Sequence, residues 1–484
     1  MSTSVDFLII GSGFGGLGMA IEISRHELGS YAIVERESSL GGTWRDNTYP
    51  GAACDVKATL YHFSFTSWTW SRAYPQQPEI LQYMENLADD FGIRPHIYFN
   101  REVVSATWDD AAQRWRVRCA DGSDFNARYL IAATGQLHRP RTPDIAGSET
   151  FLGAQFHTAR FDHSVPLDSA RVAIIGSGAS SIQVAPAISS QVAQLDIYQR
   201  SAPYVMPKDD PPTSTRQRWV QRVFPWLTRP SRARAYIFGE LFGAGLVGRS
   251  AVRAKARGQW EMYVNAVVRD PALRSLVEPD YEIGCKRVLL ASDWYPTLQR
   301  DNVTLVTSAI ERMTPSGIVT RDGVERPYDV IVYATGFDAT EFMGPMDIRG
   351  RTGMTLRERW GRRPLAHRGV TIPDFPNFFV LYGPNTNLGS NSILFMLESQ
   401  CRYVRRLVEE STSRGWSTVE VTPGALEEWR QEIDEASTST AWLQGCQSWY
   451  TVDGVNTNNW PFSSWRYHSL LATADLENYQ APPQ

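Results

Sequence analysis

Residues 6–16 read Asp6-Phe7-Leu8-Ile9-Ile10-Gly11-Ser12-Gly13-Phe14-Gly15-Gly16, and they predict how the chain begins to fold. An apolar strand enters a glycine-rich turn, and the spacing after it predicts a helix that ends at Leu28. Gly11 permits the tight turn, Gly13 leaves the backbone open to a pyrophosphate, and Gly16 lets the helix pack closely on the sheet. The pattern indicates a doubly wound α/β domain that binds a dinucleotide.

The next strand strengthens this interpretation. It reads Tyr31-Ala32-Ile33-Val34 and ends on Glu35, which lies 19 residues after Gly16. A carboxylate at this spacing can accept hydrogen bonds from a ribose diol.

A second glycine turn follows much later in the chain. The strand 171–175 leads into Gly176-Ser177-Gly178-Ala179-Ser180-Ser181, where Ser181 replaces the third glycine. Counting 19 residues onward from Ser181 gives Arg200 instead of an acid. An arginine suits a 2'-phosphate, so this site is predicted to bind NADP and not NAD. The alternative is an arginine that simply lies on the surface after a strand.

Two other strands end alike, in Ala133-Thr134-Gly135 and in Ala334-Thr335-Gly336. One precedes the second glycine turn and the other follows it, which predicts a domain inserted into another. We expect two Rossmann-like domains: an FAD domain of residues 1–145 and 326–484, and an NADP domain of residues 146–325. The layout is typical of flavoproteins with two dinucleotides. A later turn around Asn385 is expected near the flavin, with an ordinary Asn/Gly turn as the alternative.

Residues 214–270 form an arginine-rich segment whose spacing predicts helices. Its aromatic side chains could form an apolar face: Trp219, Phe224, Trp226, Tyr236, Phe238 and Phe242. We interpret the segment as a helical insertion that lines the route to the flavin. A cover packed on the NADP domain and adsorption to a membrane surface stay open as alternatives.

The composition limits the partners. The 48 basic and 52 acidic residues give a net charge of -4 without blocks of like charge, which argues against nucleic acid or anionic lipid as the main partner. The longest apolar stretch, 236–247, contains Glu240 and is shorter than the roughly 20 residues of a membrane-spanning helix. Met1 to Asp6 shows no leader. The scattered cysteines include no CxxC, which predicts neither a disulfide framework nor a zinc site. We expect a cytoplasmic monomer or homodimer without a metal.

Two further segments resemble motifs of the Baeyer-Villiger monooxygenases. Residues 41–55 match the pattern GGxW, four residues, YPG, three residues, Asp. Residues 151–162 resemble FxGxxxHxxxW(P/D), with Phe161 in place of tryptophan. The resemblance extends from Phe7 to about Tyr467 and is weakest near residues 210–275. It implies an enzyme with FAD and NADP(H) that uses oxygen to convert ketones to esters or lactones through a C4a-peroxyflavin, with sulfoxidation as a second reaction.

The resemblance also implies roles for single residues. Cys285-Lys286-Arg287 resembles the family segment whose arginine lies over the flavin, so Arg287 is expected to be catalytic and Asp55 to be its paired carboxylate. Trp449 belongs to a segment similar to a loop that folds over NADP, and His157 is expected to support the link between domains. The residues expected to contact the cofactors are Gly11, Gly13, Gly16, Glu35, Arg36, Thr43, Trp44, Asp55, Tyr61, Thr134, Gly135, Asn385, Gly176, Gly178, Ser181, Arg200, Ser201, Lys286, Thr335, Gly336 and Trp449.

Elementary chemistry supports the role of Arg287. The reaction needs an anionic nucleophile and forms an oxyanion, and arginine stabilises both because it does not give up its proton. Asp55 would fix the guanidinium through a bidentate pair. The alternative is an arginine that only contacts phosphate.

Three other functions are alternatives to the Baeyer-Villiger reaction. A nitrogen- or sulfur-oxygenating flavin monooxygenase would share the nucleotide motifs and use a C4a-hydroperoxyflavin. The presence of Arg287 and Asp55 argues against this alternative. A disulfide reductase needs a CxxC, which the sequence lacks. A non-catalytic redox sensor would not need the catalytic pair.

Overall fold

The computed structural model of the chain describes residues 3–248, 250–338, 342–389, 391–443 and 450–481. Its architecture is α/β, with two largely parallel sheets that each carry helices on their faces. The helices are Phe14–Arg25, Thr43–Asp46, Gln77–Asp90, Ser181–Ile188, Thr215–Val223, Arg229–Gly248, Ser250–Val267, Pro271–Leu276, Trp294–Leu298, Leu356–Trp360, Ile393–Ser413, Pro423–Ser437 and Ser464–Leu470.

The first sheet is built around the strand that opens the chain. Thr3–Ile10 lies between Tyr31–Val34 and Asp124–Ala132 and runs parallel to both. Phe378–Val380 pairs in parallel with the last residues of Asp124–Ala132, so the last third of the chain returns to this sheet. The remaining strands of the sheet are Ile97–Tyr98, Val103–Asp109, Arg114–Cys119 and Asp347–Arg349.

The second sheet is entirely parallel, and its strand order is Val303–Val306, Gln194–Tyr198, Arg171–Ile175, Val330–Tyr333 and Ala154–His157. The three central strands, Gln194–Tyr198, Arg171–Ile175 and Val330–Tyr333, are buried on both faces along most of their length, which explains their largely apolar sequences. Val330–Tyr333 belongs to this sheet, so the domain boundary predicted at residue 326 lies too early.

The smaller strands complete the fold. They are Val205–Met206 with Leu289–Leu290, the antiparallel set Ile310–Met313, Gly317–Thr320 and Glu325–Pro327, and the pairs Glu420–Val421 with Tyr479–Gln480 and Thr451–Val452 with Val455–Asn456.

The chain passes between the two sheets at two places, after residue 132 and after residue 333, and the two crossings lie side by side. The backbone N–H of Arg141 donates to the carbonyl of Gly336 at 2.9 Å, and the N–H of Asp338 donates to the carbonyl of Arg139 at 2.9 Å. Between these hydrogen bonds, Pro140 and Phe337 form a β-bridge. The predicted insertion of one dinucleotide domain into another is confirmed, and its two connections form a single paired linker.

The helical insertion is present as predicted, as Thr215–Val223, Arg229–Gly248 and Ser250–Val267. The first helix of the chain ends at Arg25, before the predicted Leu28, because Glu27 and Gly29 adopt positive φ angles that a helix does not accommodate. Among the described residues, no helix is both long and apolar enough to cross a membrane.

Candidate active site

A cavity of about 1670 Å³ lies between the two sheets, and both glycine turns form part of its wall. Both turns follow the carboxyl ends of parallel strands, which is where α/β sheets bind ligands. The cavity also reaches the paired linker at Thr335 and Gly336. The topology therefore places two predicted nucleotide sites along one continuous space.

The first glycine turn has the shape that a nucleotide requires. A side chain at Gly16 would place its Cβ 1.9 Å from the carbonyl oxygen of Gly11, whereas a Cβ at Gly13 would meet no protein atom within 4 Å. Gly16 therefore permits close packing, and Gly13 leaves space toward the cavity. No side chain caps the helix Phe14–Arg25, so its first N–H groups remain available to a pyrophosphate.

Glu35 lies buried beside this turn, where the sequence predicted a ribose contact. Its carboxylate accepts hydrogen bonds from the backbone N–H of Ser12 at 2.9 Å and from the Ser12 hydroxyl at 2.7 Å. Arg45 Nη1 lies 3.1 Å from the other carboxylate oxygen. These contacts fix the orientation of an acid that also lines the cavity.

The second glycine turn differs from the first at its third position. Gly176 has a φ of +115°, and a Cβ there would lie 2.4 Å from the carbonyl oxygen of Ala334, while Gly178 is open as Gly13 is. Ser181 is fully buried, and the helix begins at this residue. In the first turn the helix begins at Phe14, before Gly16. The serine side chain is thus accommodated by a later start of the helix.

Arg200, Ser201 and Lys286 come together at the edge of this second turn. Lys286 Nζ donates to the Ser201 hydroxyl at 3.1 Å, and Arg200 is exposed at the end of the strand Gln194–Tyr198. Burial lowers the pKa of Lys286, and the positive charge of Arg200 lowers it further. Two neighbouring cations form a site for a dianion such as the 2'-phosphate of NADP.

Arg287 and Asp55 form an ion pair on the cavity wall. Arg287 Nη2 lies 2.6 Å from Asp55 Oδ1, and the two side chains are 35% and 24% exposed. The negative charge of Asp55 is the main reason why the pKa of Arg287 is raised. The guanidinium is therefore charged at any pH at which the protein is folded.

The pair joins two parts of the fold, because Asp55 belongs to the domain of the first sheet and Arg287 belongs to the domain of the second sheet. Residues 49–55 reach across because they pack on the helix Ser181–Ile188. The Tyr49 hydroxyl donates to Gln183 Oε1 at 2.9 Å, and a Cβ at Gly51 would lie 2.6 Å from the Gln183 carbonyl oxygen. This contact explains why the motif needs glycine at residue 51.

Other groups near the pair were not among the predicted site residues. Tyr382 and Tyr450 line the cavity, and both tyrosines raise the pKa of Arg287. Burial raises the pKa of Cys54 to about 12, and Lys208 Nζ donates to the Cys54 carbonyl at 3.2 Å. Cys54, Cys119 and Cys401 are free, whereas Cys285 is disulfide-bonded, which the scattered cysteine spacing did not predict.

Most residues predicted to bind cofactors line the cavity. They are Gly11, Gly13, Glu35, Arg36, Thr43, Trp44, Asp55, Tyr61, Thr134, Gly135, Gly176, Gly178, Arg200, Ser201, Lys286, Thr335 and Gly336. Gly16 and Ser181 do not line the cavity, because each lies buried in the first turn of its own helix. Trp449 falls outside the described residues.

The prediction for Asn385 is wrong, because this residue does not line the cavity. It is buried, and its Nδ2 donates to the carbonyl of Asn456 at 2.9 Å. Asn387 and Leu388, two and three residues later, do reach the cavity. Asn385 therefore holds the loop that presents them.

The helical insertion also differs from our first interpretation. The cavity wall includes none of the described residues of 214–270, so these helices do not line it. Three side chains of this segment contact the FAD domain instead: Arg232 donates to the Thr59 carbonyl at 3.0 Å, the Tyr236 hydroxyl lies 2.9 Å from Ser464 Oγ, and Glu240 accepts from Asn391 Nδ2 at 2.8 Å.

His157 lies where the second sheet meets the linker. It is buried, its Nδ1 accepts a hydrogen bond from the Ala159 N–H at 3.0 Å, and its ring contacts Phe337 edge to face. Burial lowers the pKa of His157, so the ring is neutral near pH 7. Phe161, four residues later, is buried against Phe156 in the core of the second sheet.

Comparisons with known proteins agree with this site. A family model described as pyridine nucleotide-disulphide oxidoreductase matches residues 8–229. A Baeyer-Villiger monooxygenase of Streptomyces coelicolor is 39% identical over 98% of this chain and 92% of the relative.

Solved structures extend the agreement to the whole fold. An oxidized steroid monooxygenase bound to NADP superimposes with a TM-score of 0.88 at 32% identity, covering 99% of each chain. The OTEMO complex with FAD and NADP gives a TM-score of 0.89 at 27% identity, also over 99% of each chain. The open space at Gly13, the oriented Glu35 and the cation pair of Arg200 and Lys286 fit the same two cofactors. The chain therefore belongs to the Baeyer-Villiger monooxygenases, flavoenzymes that use FAD, NADP(H) and oxygen to oxygenate ketones.

Proposed function

We propose that Arg287 and Asp55 form the catalytic pair of this monooxygenase, and that the substrate is an apolar ketone converted to an ester or lactone. The observation that carries the proposal is the 2.6 Å ion pair on the wall of a cavity shared by both nucleotide sites. When bound, FAD supplies the reduced ring at which oxygen is activated.

Arg287 supplies a fixed positive charge to the reacting oxygens. A nucleophile that attacks the carbonyl carbon of a ketone moves negative charge onto the carbonyl oxygen. A preorganised donor beside that oxygen stabilises the charge as it forms. Because Asp55 raises the pKa of Arg287, the guanidinium donates hydrogen bonds without transferring its proton to the nucleophile.

Asp55 has a positioning role. Its carboxylate accepts one hydrogen bond from Arg287 Nη2, where the sequence had predicted a bidentate pair, and the segment 49–55 is itself fixed by Gln183 on the helix of the second sheet. A charge held in place before the reaction loses little free energy to reorganisation when the transition state forms.

On the nucleotide side, we propose that Glu35 binds the ribose of FAD and that Arg200, Ser201 and Lys286 bind the 2'-phosphate of NADP(H). Lys286, which would bind the 2'-phosphate, is adjacent in sequence to Arg287, which would lie beside the reacting atoms. The two proposed roles therefore belong to one segment of the chain. Binding of NADP(H) is therefore coupled through the backbone to the position of the guanidinium.

The test is an assay of the purified, yellow, FAD-containing protein with NADPH and a panel of linear, cyclic, aryl and steroid ketones. Products are identified by mass spectrometry and compared with NADPH consumption. Ester or lactone formation supports the proposal. Oxygenation of amines and sulfides alone, with every ketone recovered unchanged, would assign the chain to nitrogen- and sulfur-oxygenating chemistry instead.

We also propose a cytoplasmic location and a monomeric or homodimeric state. Cell fractionation and light scattering measure these properties directly. A secreted or higher-order assembly would contradict this part of the proposal and leave the reaction unaffected.

A further inference from the structure

The helical insertion carries a large apolar surface that the cavity does not use. Six of its large apolar side chains are 54 to 71% exposed, whereas comparable side chains elsewhere form the cores of the two sheets. We call this set the insertion surface; it consists of Trp219, Trp226, Leu227, Ile237, Phe238 and Leu241. Soluble proteins rarely expose so many large apolar side chains in one short segment unless the surface binds something.

The periodicity of the helix Arg229–Gly248 separates an inner face from an outer face. Arg232, Tyr236 and Glu240 recur every four residues and contact the FAD domain. Ile237, Phe238 and Leu241 lie on the opposite side of the helix and are exposed. The inner contacts attach the helix to the FAD domain and leave these three outer side chains exposed.

Aromatic contacts join the preceding segment to the same region. Trp219 lies 6.5 Å from Phe224, and Phe224 lies 5.4 Å from Trp226, measured between ring centroids. The tryptophans are thus held by a chain of aromatic neighbours while 60% and 54% of their surfaces remain exposed.

The charge of this segment is strongly one-sided. Residues 214–248 contain six arginines and one acid, although the whole chain has a net charge of -4. Among the arginines, Arg216, Arg218, Arg222, Arg229 and Arg234 are exposed. The single acid, Glu240, accepts hydrogen bonds from Ser464 and Asn391 on the inner side. The average over the whole chain therefore hides a local basic surface.

We propose that the insertion surface docks the enzyme on an anionic lipid bilayer, with the exposed tryptophan, phenylalanine and leucine side chains in the interface and the arginines at the headgroups. Tryptophan and arginine side chains both suit this boundary, because each joins an apolar body to a polar end. No helix spans the membrane among the described residues, so the contact is peripheral.

A second copy of the chain fits this surface less well. In a twofold symmetric dimer the same patch faces itself, and the five exposed arginines would approach one another without an acid in the segment to pair with them. An anionic bilayer offers the opposite charge to every one of them. The proposal is independent of the reaction catalysed, so it can fail while the proposed function holds.

Cosedimentation with lipid vesicles tests the proposal. The FAD-containing enzyme is mixed with phosphatidylcholine vesicles with and without phosphatidylglycerol. We expect binding to the anionic vesicles, and we expect release when NaCl rises from about 0.1 M to about 1 M, which shortens the screening length from about 10 Å to about 3 Å.

Matched variants assign the binding to the insertion surface. Phe238→Ser/Leu241→Ser should lower the partition coefficient by at least about tenfold, because it removes apolar area from the contact. Arg216→Gln/Arg218→Gln should lower it by about fivefold per arginine. Leu152→Ser is the control, since Leu152 is 85% exposed outside the insertion and should leave binding unchanged. FAD content and NADPH oxidation should match the wild-type protein in all variants.

Three results would overturn the proposal. The first is no binding to either kind of vesicle. The second is binding that depends neither on phosphatidylglycerol nor on salt. The third is a dimer in light scattering that Phe238→Ser/Leu241→Ser dissociates, which would assign the surface to a second copy of the chain.

Discussion

Replacing Arg287 by alanine is the most direct test of the catalytic pair. The change removes the permanent cation from the cavity wall and leaves Asp55 without its partner. Loss of one preorganised donor from an oxyanion site typically lowers the rate by about 100- to 1,000-fold. We therefore expect ester formation to fall by this factor. FAD binding should persist, because the glycine turn and Glu35 lie on other segments of the chain.

The structure also sets the size of the effect at Asp55. Removing one partner of a charge-assisted hydrogen bond costs about 1.5 to 3 kcal/mol. The pair is 24% and 35% exposed, and solvent screening places the cost at the lower end of that range. For Asp55→Asn this corresponds to roughly a tenfold loss of rate. Arg287→Lys keeps the charge and loses the planar fork, so its rate should lie between those of Arg287→Ala and the wild-type protein.

The assay measures ester, NADPH consumed and hydrogen peroxide in the same reaction. In Arg287→Ala we expect NADPH oxidation to continue and hydrogen peroxide to account for the missing ester. Arg171→Ala is the matched control, because it breaks another Arg–Asp pair, with Asp329 at 2.7 Å, away from the cavity wall. Wild-type ester yield from Arg287→Ala would refute the assigned role of the guanidinium.

Three further predictions follow from the cofactor sites and the buried thiol. Arg200→Ala should reduce the preference for NADPH over NADH mainly through the KM of NADPH, and an unchanged ratio of kcat/KM would show that another residue reads the phosphate. Gly16→Ala should lower the yield of folded protein, because its Cβ would lie 1.9 Å from a backbone oxygen, whereas Gly13→Ala should fold and bind FAD weakly; circular dichroism and flavin absorbance distinguish the two. Burial raises the pKa of Cys54 to about 12, so its thiol is protonated at pH 8 and iodoacetamide should not alkylate it until the protein unfolds, which peptide mapping can check.

Local patterns in the sequence identified both nucleotide turns. The conformation of each turn is determined by residues that are close in sequence. The spacing of the glycines, together with Glu35 for the first turn or Arg200 for the second, was therefore sufficient to predict it. The pair of Asp55 and Arg287 is separated by 232 positions, and only the resemblance to a family brought these two residues together. Tyr382 and Lys208 belong to no motif that predicts a place beside the pair, and their position there depends on the complete fold.

The errors in prediction also have physical causes. The strands Asp124–Ala132 and Val330–Tyr333 are both followed by Ala-Thr-Gly, yet they belong to different sheets. The apolar composition of a strand indicates that it is buried, but it does not show which strand lies next to it. The sequence therefore could not place the domain boundary after residue 333. Asn385 was predicted to lie near the flavin, but its side chain donates a hydrogen bond to the buried carbonyl of Asn456.

The paired linker restricts how the two domains can move relative to each other. Its two segments share hydrogen bonds and a β-bridge, so neither segment can bend independently of the other. A single tether would have left tilting and twisting free. Relative motion of the two domains must therefore bend residues 139–141 and 336–338 together. The contact of Tyr49 with Gln183 and that of Arg232 with the Thr59 carbonyl also join the two domains, so such a motion would have to break them as well.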